Sequence, residues 1–308
     1  AMVAAAPGAK FCGPDTNPNP AWCKSLASEF ATSGRFTMIT QHDYPGGCAY
    51  KNPNVADIKD LIPNDPAMAR EKMLSTAWVA SYEKVQKGMA DAVAGTGIGF
   101  RMTETNNLWF GGLEGASDSY AAALWSADYL FWWAAHGARG LNFHTGDMVG
   151  GGDKTLPSRY AAFVTAGGGY DVRPLSYGMK FFTLGGQGRM VATTWGREKI
   201  DDVDVYASKE TDGKVWVSLI NRSHGASAAE REIRLDFASS VKAARVIYLA
   251  AKGGDIAAKD GVTLGGEAIQ TDGGWKGNWK DAQVEGDHVM VRVPGASGVV
   301  VEVNADAK

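Results

Sequence analysis

The sequence predicts an α/β domain at residues 1–185 followed by an all-β domain at residues 186–308. Strands near residues 10, 38, 101 and 142 alternate with helical segments over short links, which is the pattern of parallel βαβ units. Polar residues follow each of these strands. Beyond Gly185-Gly186 the chain changes to short β-rich runs, which favours an antiparallel sandwich.

Capping residues and apolar runs predict the elements of the first half. Asp65-Pro66 is a helix N-cap with proline at the first helical position, and Gly34 is the glycine expected past a helix end. In order, we predict strand 10–15, helix 22–32, strand 36–40, a short helical piece at 55–61, helix 66–93 in one or two pieces, strand 99–104, helix 118–136, strand 139–143 and helices at 158–166 and 174–184.

Seven short strands are predicted in the second half. Most of them alternate or are β-rich, and turns such as Asp212-Gly213 and Glu285-Gly286-Asp287 separate some of them. The predicted strands are 190–194, 203–208, 215–221, 232–237, 244–249, 289–293 and 298–303.

Four strand ends in the first half carry polar side chains. They are Asp15, then His42 with Tyr44, then Glu104 with Asn106, then His144 with Asp147. Taken alone, a strand-end glutamate can cap a turn, and a strand-end histidine is more often structural than catalytic. In a parallel sheet, however, all four sets converge on one face, where such folds bind ligands. The coincidence favours a functional site centred on Glu104.

Carbohydrate chemistry suits these residue types. An ionised Glu104 can act as a nucleophile on a sugar, with histidine and tyrosine beside it to hold both. His42 and His144 lack the i, i+4 spacing of a helical metal motif, and the sequence has no G-x-S-x-G motif of a serine hydrolase. Residues 150–152 are three glycines without the Lys-Ser/Thr of a phosphate loop, which indicates a flexible loop. We therefore expect no metal and no cofactor.

Composition excludes other classes of function. A net charge of -3 and a pI of about 6.0 give no footprint of nucleic-acid binding. The most apolar helix, at 121–135, is shorter than the ~20 residues that span a bilayer, so we expect it to be buried and expect no membrane association. Residues 1–7 show no signal peptide. The location stays open, with a secreted or periplasmic one favoured.

The three cysteines, Cys12, Cys23 and Cys48, have no metal-ligand spacing. Two interpretations remain open for them. One is a disulfide between Cys23 and Cys48, and the other is three free thiols.

Four segments together resemble glycoside hydrolase family 79, which contains β-glucuronidases and heparanase-like enzymes. They are the run 101–106, the capped helix 117–125, the strand 141–144 and the strand end 40–44. The resemblance implies the second half of a (β/α)8 TIM barrel followed by a β-sandwich. It implies a retaining β-glycosidase with Glu104, at the end of the seventh strand, as nucleophile. His42, Tyr44, Asn106, Trp109 and His144 are then expected to bind the carbohydrate substrate.

The family pattern is incomplete here. The family's acid/base glutamate follows an asparagine at the end of the fourth strand, and this sequence contains no Asn-Glu pair. We therefore expect an N-terminal segment, in the same or another chain, that supplies four strands and the acid/base. Without it, residues 1–308 are expected neither to close a barrel nor to hydrolyse glycosides.

A second departure concerns the sugar. Family β-glucuronidases tend to place a tyrosine shortly after the nucleophile, near the substrate carboxylate, where this chain has Trp109 with Phe110 beside it. These two rings are expected either to form a wall of the sugar cleft or to pack beneath the loop. Besides a β-glucuronidase-like enzyme, a retaining glycosidase for a neutral sugar and a non-catalytic carbohydrate-binding or scaffold protein therefore stay open.

Overall fold

One parallel sheet and two antiparallel sheets form the framework of the protein. The computed structural model describes residues 2–48, 61–62, 64–148, 158–196 and 198–305. The helices are α1 (Met2–Ala5), α2 (Pro20–Phe30), α3 (Pro66–Met73), α4 (Thr76–Val93), α5 (Tyr120–Ala135) and α6 (Pro174–Gly185). The strands of the first half are β1 (Phe11–Thr16), β2 (Phe36–Asp43), β3 (Gly46–Cys48), β4 (Leu61–Ile62), β5 (Gly99–Thr105), β6 (Leu108–Trp109), β7 (Leu141–Phe143), β8 (Phe163–Ala166) and β9 (Gly169–Val172).

The remaining strands follow α6. They are β10 (Arg189–Val191), β11 (Val203–Lys209), β12 (Val215–Asn221), β13 (Arg231–Asp236), β14 (Val241–Ala251), β15 (Val262–Leu264), β16 (Lys280–Asp281), β17 (Gln283–Glu285), β18 (His288–Val293) and β19 (Ser297–Ala305). All seven strands predicted from the sequence are among them.

The parallel sheet has the order β1-β2-β5-β7, and each neighbouring pair is parallel. These are the four strands predicted from the alternating pattern. In the described part of the chain β1 and β7 each pair on one side, so the sheet stays open and forms no closed barrel. A smaller parallel sheet, β4-β3-β6, continues from the ends of β2 and β5.

Helix α5 is buried almost throughout. Its residues from Tyr120 to Trp133 are all inaccessible to solvent or nearly so. A helix that is apolar on every side has no face for water and must lie inside the molecule. Within the described residues, no helix is both long enough and apolar enough to cross a membrane.

The seven-stranded antiparallel sheet has the order β10-β11-β12-β19-β14-β15, with β16 also paired to β14, and it is covered on both faces. Side chains alternate along β19: Val299 and Val301 face the three-stranded sheet β13-β18-β17, while Val300 joins the core that contains α5 and α6. The two antiparallel sheets therefore enclose one apolar core, as in a sandwich. The other face of the larger sheet shares its core with the helices, so the two halves of the chain pack against each other.

One predicted element is wrong. Residues 158–166 do not form a helix, because β8 and β9 form an antiparallel hairpin whose turn is Gly167-Gly168. Both turn glycines have positive φ angles, 50° and 89°, which suits a two-residue hairpin turn.

Some expectations concern residues whose placement is not described. The helical piece at 55–61 lies mostly outside the described residues, and Leu61–Ile62 is a short strand. The glycine loop at 150–152 lies entirely outside them. Cys23 is a buried free thiol that lies 3.1 Å from Gln41 Oε1, and not half of a disulfide; the Cys48 side chain is not described.

Candidate active site

The strand ends that the sequence singles out do meet at one edge of the parallel sheet. His42 on β2 lies directly opposite Glu104 on β5 in the strand register. His144 follows β7, and its backbone N–H donates to the Thr105 carbonyl of β5. Parallel strands place their carboxyl ends at the same edge, which is where open α/β sheets bind ligands.

Glu104 is held by two neighbouring side chains. The Tyr44 hydroxyl donates to Glu104 Oε1 at 2.7 Å, and His42 Nδ1 lies 3.6 Å from Oε2. About a third of the Glu104 side chain, 34%, is exposed to solvent. The carboxylate is therefore fixed in orientation and still open to a ligand.

Tyr44 stays protonated in this position. Burial raises the pKa of its hydroxyl well above the ordinary value, and the nearby Tyr160 and the carboxylate of Glu104 raise it further. A tyrosine in this state can donate to a carboxylate throughout the physiological pH range.

Two β-bulges bring a second carboxylate to the same edge. Strand β1 has one extra residue relative to β2, namely Asp15, whose φ of 59° is in the left-handed region. Strand β5 has one extra residue, Thr103, relative to both of its neighbours. Bulges redirect side chains at the ends of strands. Here the Thr103 hydroxyl bonds to Asp15 Oδ1, and His42 Nε2 lies 3.3 Å from the same oxygen. His42 therefore lies between two carboxylates, those of Asp15 and Glu104.

Tyr160 forms the other side of the cluster. Its hydroxyl lies 2.7 Å from His144 Nδ1, and its ring centre is 6.2 Å from that of Tyr44. The ring is almost fully buried, and burial raises the pKa of its hydroxyl. Sequence reasoning missed this residue because it lies on no predicted strand end.

Asn106 lies beneath the site rather than at its surface. It is fully buried, and its amide nitrogen donates to the backbone carbonyls of His144 and Tyr160 at 3.0 and 3.1 Å. Its side-chain oxygen accepts from the backbone N–H of Asn107. Asn106 thus joins the end of β5 to the segments that carry His144 and Tyr160.

Trp109 and Phe110 follow Glu104 on the next short strand and its turn. Their rings lie edge to face with centres 5.2 Å apart, and the Trp109 ring packs over Gly47. Trp109 is half-buried, while Phe110 is 45% exposed. Neither side chain is enclosed in a core, so both remain candidates for the wall of a binding cleft.

Potential metal ligands come together in a different part of the protein. Among the described residues, Asp236, Asp287 and His288 of the three-stranded sheet form one such group. Arg234 already donates to Asp236 at 2.6 Å, and His288 faces Asp287 and Glu285. These pairings account for the group, and we assign no metal to it.

Asp43, between His42 and Tyr44, has a carboxyl group whose pKa lies well above the ordinary value. Burial raises the pKa of its carboxyl to about 7, against a partial offset from the backbone N–H of Tyr44. Between pH 4 and 7 the folded protein therefore holds a proton that the unfolded chain releases. Stability due to this group is present at low pH and falls as the pH rises through that window.

Asp43→Asn should remove this dependence. The difference in unfolding free energy between Asp43→Asn and the wild type should increase by up to about 4 kcal/mol from pH 4 to pH 8, in favour of the variant. This value takes about 1.36 kcal/mol per pKa unit. Urea unfolding at several pH values measures it. Asp128→Asn is an independent comparison, because burial raises the pKa of Asp128 to about 7 as well. A difference between wild type and Asp43→Asn that is the same at every pH would contradict the assignment.

Comparisons with known proteins agree with this fold. No protein-family model matches the chain. A β-glucuronidase from Aspergillus niger is 27% identical over 130 residues, which are 42% of this chain and 21% of that protein. The structure is similar to a 4-O-α-L-rhamnosyl-β-D-glucuronidase from Fusarium oxysporum 12S, with a TM-score of 0.69 and 17% identity over 94% of this chain and 58% of the other.

Two further structures extend the comparison. A family 51 arabinofuranosidase from Xanthomonas axonopodis pv. citri has a TM-score of 0.62 at 16% identity, covering 95% of this chain and 57% of the other. A family 44 xyloglucanase from Paenibacillus polymyxa has a TM-score of 0.58 at 13% identity, covering 99% and 59%. This chain thus spans somewhat more than half the length of these structures. It shares with glycoside hydrolases a fold of mixed α/β and antiparallel β-sheet structure.

Proposed function

We propose that this chain carries the nucleophile of a retaining β-glycosidase that removes a terminal β-linked uronic acid, as a β-glucuronidase of family 79 does. The observation that supports it best is the position of Glu104, at the carboxyl end of a central parallel strand and bonded to Tyr44 at 2.7 Å. The similarity to a β-glucuronidase and to a rhamnosyl-glucuronidase supports the same substrate class.

In this mechanism Glu104 attacks the anomeric carbon and forms a covalent glycosyl-enzyme, which water then hydrolyses. The Tyr44 hydroxyl holds one carboxylate oxygen and leaves the other free for the attack. His42 lies between Glu104 and Asp15, where its ring nitrogens can donate to either carboxylate. Once Glu104 is bonded to the sugar, the Tyr44 hydroxyl is free to donate to the ring oxygen or to a sugar hydroxyl.

A retaining site also needs a second carboxyl group, about 5–5.5 Å from the nucleophile, to protonate the leaving group. We place this acid/base on a polypeptide segment outside the present sequence. In this proposal β1, β2, β5 and β7 are the second half of a (β/α)8 barrel, residues 1–185 belong to that barrel, and residues 186–308 form its sandwich domain.

The proposal is tested on the complete enzyme with a cyclophellitol-type aziridine of glucuronic configuration, which traps the nucleophile of retaining enzymes. We expect one covalent adduct per protein by intact mass, and peptide mapping should place it on Glu104. Glu104→Gln should give no adduct. An adduct on another carboxylate would overturn the assignment of the nucleophile. Binding of the sugar without any adduct would instead support a non-catalytic carbohydrate-binding protein.

A neutral sugar is the second candidate substrate. In the described part of the chain, neither Glu104 nor Tyr44 nor Tyr160 is hydrogen-bonded or ion-paired to an arginine or lysine that could bind a uronate. Within the described cluster, the histidine rings and the tyrosine hydroxyls are available to donate to a uronate. Turnover of an aryl β-glucuronide and of the matching β-glucoside decides between the two. If the glucoside were turned over faster, the proposed substrate would be a neutral sugar and not a uronic acid.

A further inference from the structure

The hairpin β8–β9 presents two exposed aromatic rings, and its first strand begins three residues after Tyr160. Phe163 is 46% exposed and Tyr170 is 49% exposed, and their rings lie edge to face with centres 5.2 Å apart. In the hairpin register Phe163 pairs with Val172 and Thr165 with Tyr170, so the two aromatic residues are diagonal neighbours on one face. Large apolar side chains left exposed side by side mark interaction surfaces more often than single ones do.

The hairpin is fixed at both of its edges. On the β8 edge, the Thr165 N–H donates to Asp147 Oδ1 at 2.7 Å, in the segment that follows His144. On the β9 edge, the Tyr170 N–H donates to the Thr271 carbonyl at 3.3 Å, in a loop of the antiparallel half. The backbone N–H groups of Thr165 and Tyr170 therefore point away from the partner strand. In the hairpin these two residues form a non-hydrogen-bonded pair. This anchoring holds the aromatic face in a set orientation.

The chain places the start of this hairpin close to Tyr160. Tyr160 contacts His144 and Tyr44, and Phe163 is three residues further on. Three residues span at most about 11 Å, so the Cα atom of Phe163 lies within about that distance of the Cα atom of Tyr160.

Acidic groups lie along both edges of this face. Asp147 accepts from β8, and Asp272 follows Thr271 beside β9; both side chains are exposed. Carboxylates accept hydrogen bonds from sugar hydroxyls but repel a negatively charged sugar. Aromatic faces with polar groups at their rim suit the apolar face of a pyranose ring.

From these contacts we propose that Phe163 and Tyr170 form a binding subsite for a neutral pyranose residue on the leaving-group side of the cleaved bond. The substrate is then an oligosaccharide or polysaccharide rather than a small glucuronide. This inference rests on the proposed glycosidase function, because it takes Glu104 as the position of the cleaved sugar.

The test compares a short and a long substrate in the complete active enzyme. The short one is an aryl β-glucuronide, and the long one is a tetrasaccharide with a terminal β-glucuronic acid followed by neutral residues. The double variant Phe163→Ala/Tyr170→Ala should raise KM for the tetrasaccharide about tenfold or more, which corresponds to 1.4 kcal/mol. Its kcat/KM for the aryl glucuronide should stay within about twofold of the wild type.

Matched variants isolate the rings. Val164→Ala, on the opposite face of the same hairpin, should leave both substrates unaffected. Phe163→Tyr and Tyr170→Phe keep a ring at each position and should restore the tetrasaccharide KM. An unchanged KM in the double variant, with a wild-type melting temperature, would overturn the subsite. An equal loss on both substrates would also overturn it, since it would mean that the hairpin supports the site as a whole.

Binding is measured separately, so that failure of the subsite and failure of the function can be told apart. In the Glu104→Gln background, titration of the same tetrasaccharide should give a dissociation constant about tenfold weaker once both rings are removed. If the wild type cleaves neither substrate but this difference is found, the subsite stands and the glycosidase function does not. If removal of the rings changes neither binding nor KM, the subsite is wrong whatever the enzyme cleaves.

Discussion

Glu104→Gln should leave the fold intact and abolish turnover of an activated aryl glycoside by the complete enzyme. Covalent catalysis needs the carboxylate itself, because an amide is a far weaker nucleophile at the anomeric carbon. The amide has nearly the same shape, and it can still accept from the Tyr44 hydroxyl through its oxygen. A loss without unfolding is therefore the expected outcome.

The size of the effect follows from transition-state arithmetic. Loss of a nucleophile should remove several kcal/mol of transition-state stabilisation, and each 1.36 kcal/mol is a factor of ten in rate. We expect a decrease in kcat of about a thousandfold or more. A variant that keeps more than about a tenth of the rate would contradict the role of Glu104.

A second glutamate gives a matched control. Glu83 is exposed on α4, so Glu83→Gln makes the same chemical change away from the sheet edge. It should retain full activity and the same melting temperature as the wild type. If both variants lose activity together, the loss comes from the folding of the protein and not from the chemistry at Glu104.

The sequence predicts the parts of this site that depend on strand pattern. Apolar and β-branched runs identify β2 and β5, and the topology of parallel strands brings their ends together. This reasoning places His42, Tyr44, Glu104 and His144 at one edge, and the contacts among them agree with it. Their roles toward a sugar stay predictions.

Tyr160 could not be found in the same way. The run Tyr160–Ala166 is apolar and short, and a run of that kind is compatible with a helix or with a strand. The following Gly167-Gly168 between β-rich segments is a hairpin signal, and it would have corrected the helix prediction. The contact with His144 depends on tertiary structure, which a strand pattern does not contain.

The two bulges are also invisible in the pattern of the sequence. One extra residue at Thr103 decides that Glu104 lies opposite His42, and the left-handed backbone at Asp15 brings a second carboxylate near the same histidine. No apolar periodicity marks either position. Likewise, Asn106 looks like a polar strand-end residue, yet its buried amide joins two backbone segments.

The largest loss of stability should come from Gly178→Ala in α6. In an exposed helix this change would add up to about 1 kcal/mol of stability, because alanine has the higher helix propensity. Here helix α5 lies directly against Gly178. A Cβ atom at this position would be 2.1 Å from the Ala123 carbonyl oxygen and 2.1 Å from Ser126 Oγ. Real Cβ atoms do not approach other atoms so closely, so one helix must move.

Neither helix can move freely. Every described side chain of α5 from Tyr120 to Trp133 is buried, and Ser126 Oγ donates to the Leu175 carbonyl of α6 at 3.2 Å. Moving α6 outward would open gaps in a core that also includes Phe131 and Phe181. We expect Gly178→Ala to destabilise the protein by about 3 kcal/mol or more, at the upper end for overpacked cores.

Gly88→Ala is the matched helical control. Gly88 is half-buried on α4, and a Cβ there would meet only Pro20, with Cγ at 3.1 Å. The propensity gain and this mild crowding should nearly cancel, so its unfolding free energy should stay within about 1 kcal/mol of the wild type. Urea unfolding of the three proteins gives the comparison. If Gly178→Ala were as stable as Gly88→Ala, the close approach of α5 and α6 would be wrong. In that case, contacts other than those between α5 and α6 would have to hold the antiparallel half against the parallel sheet.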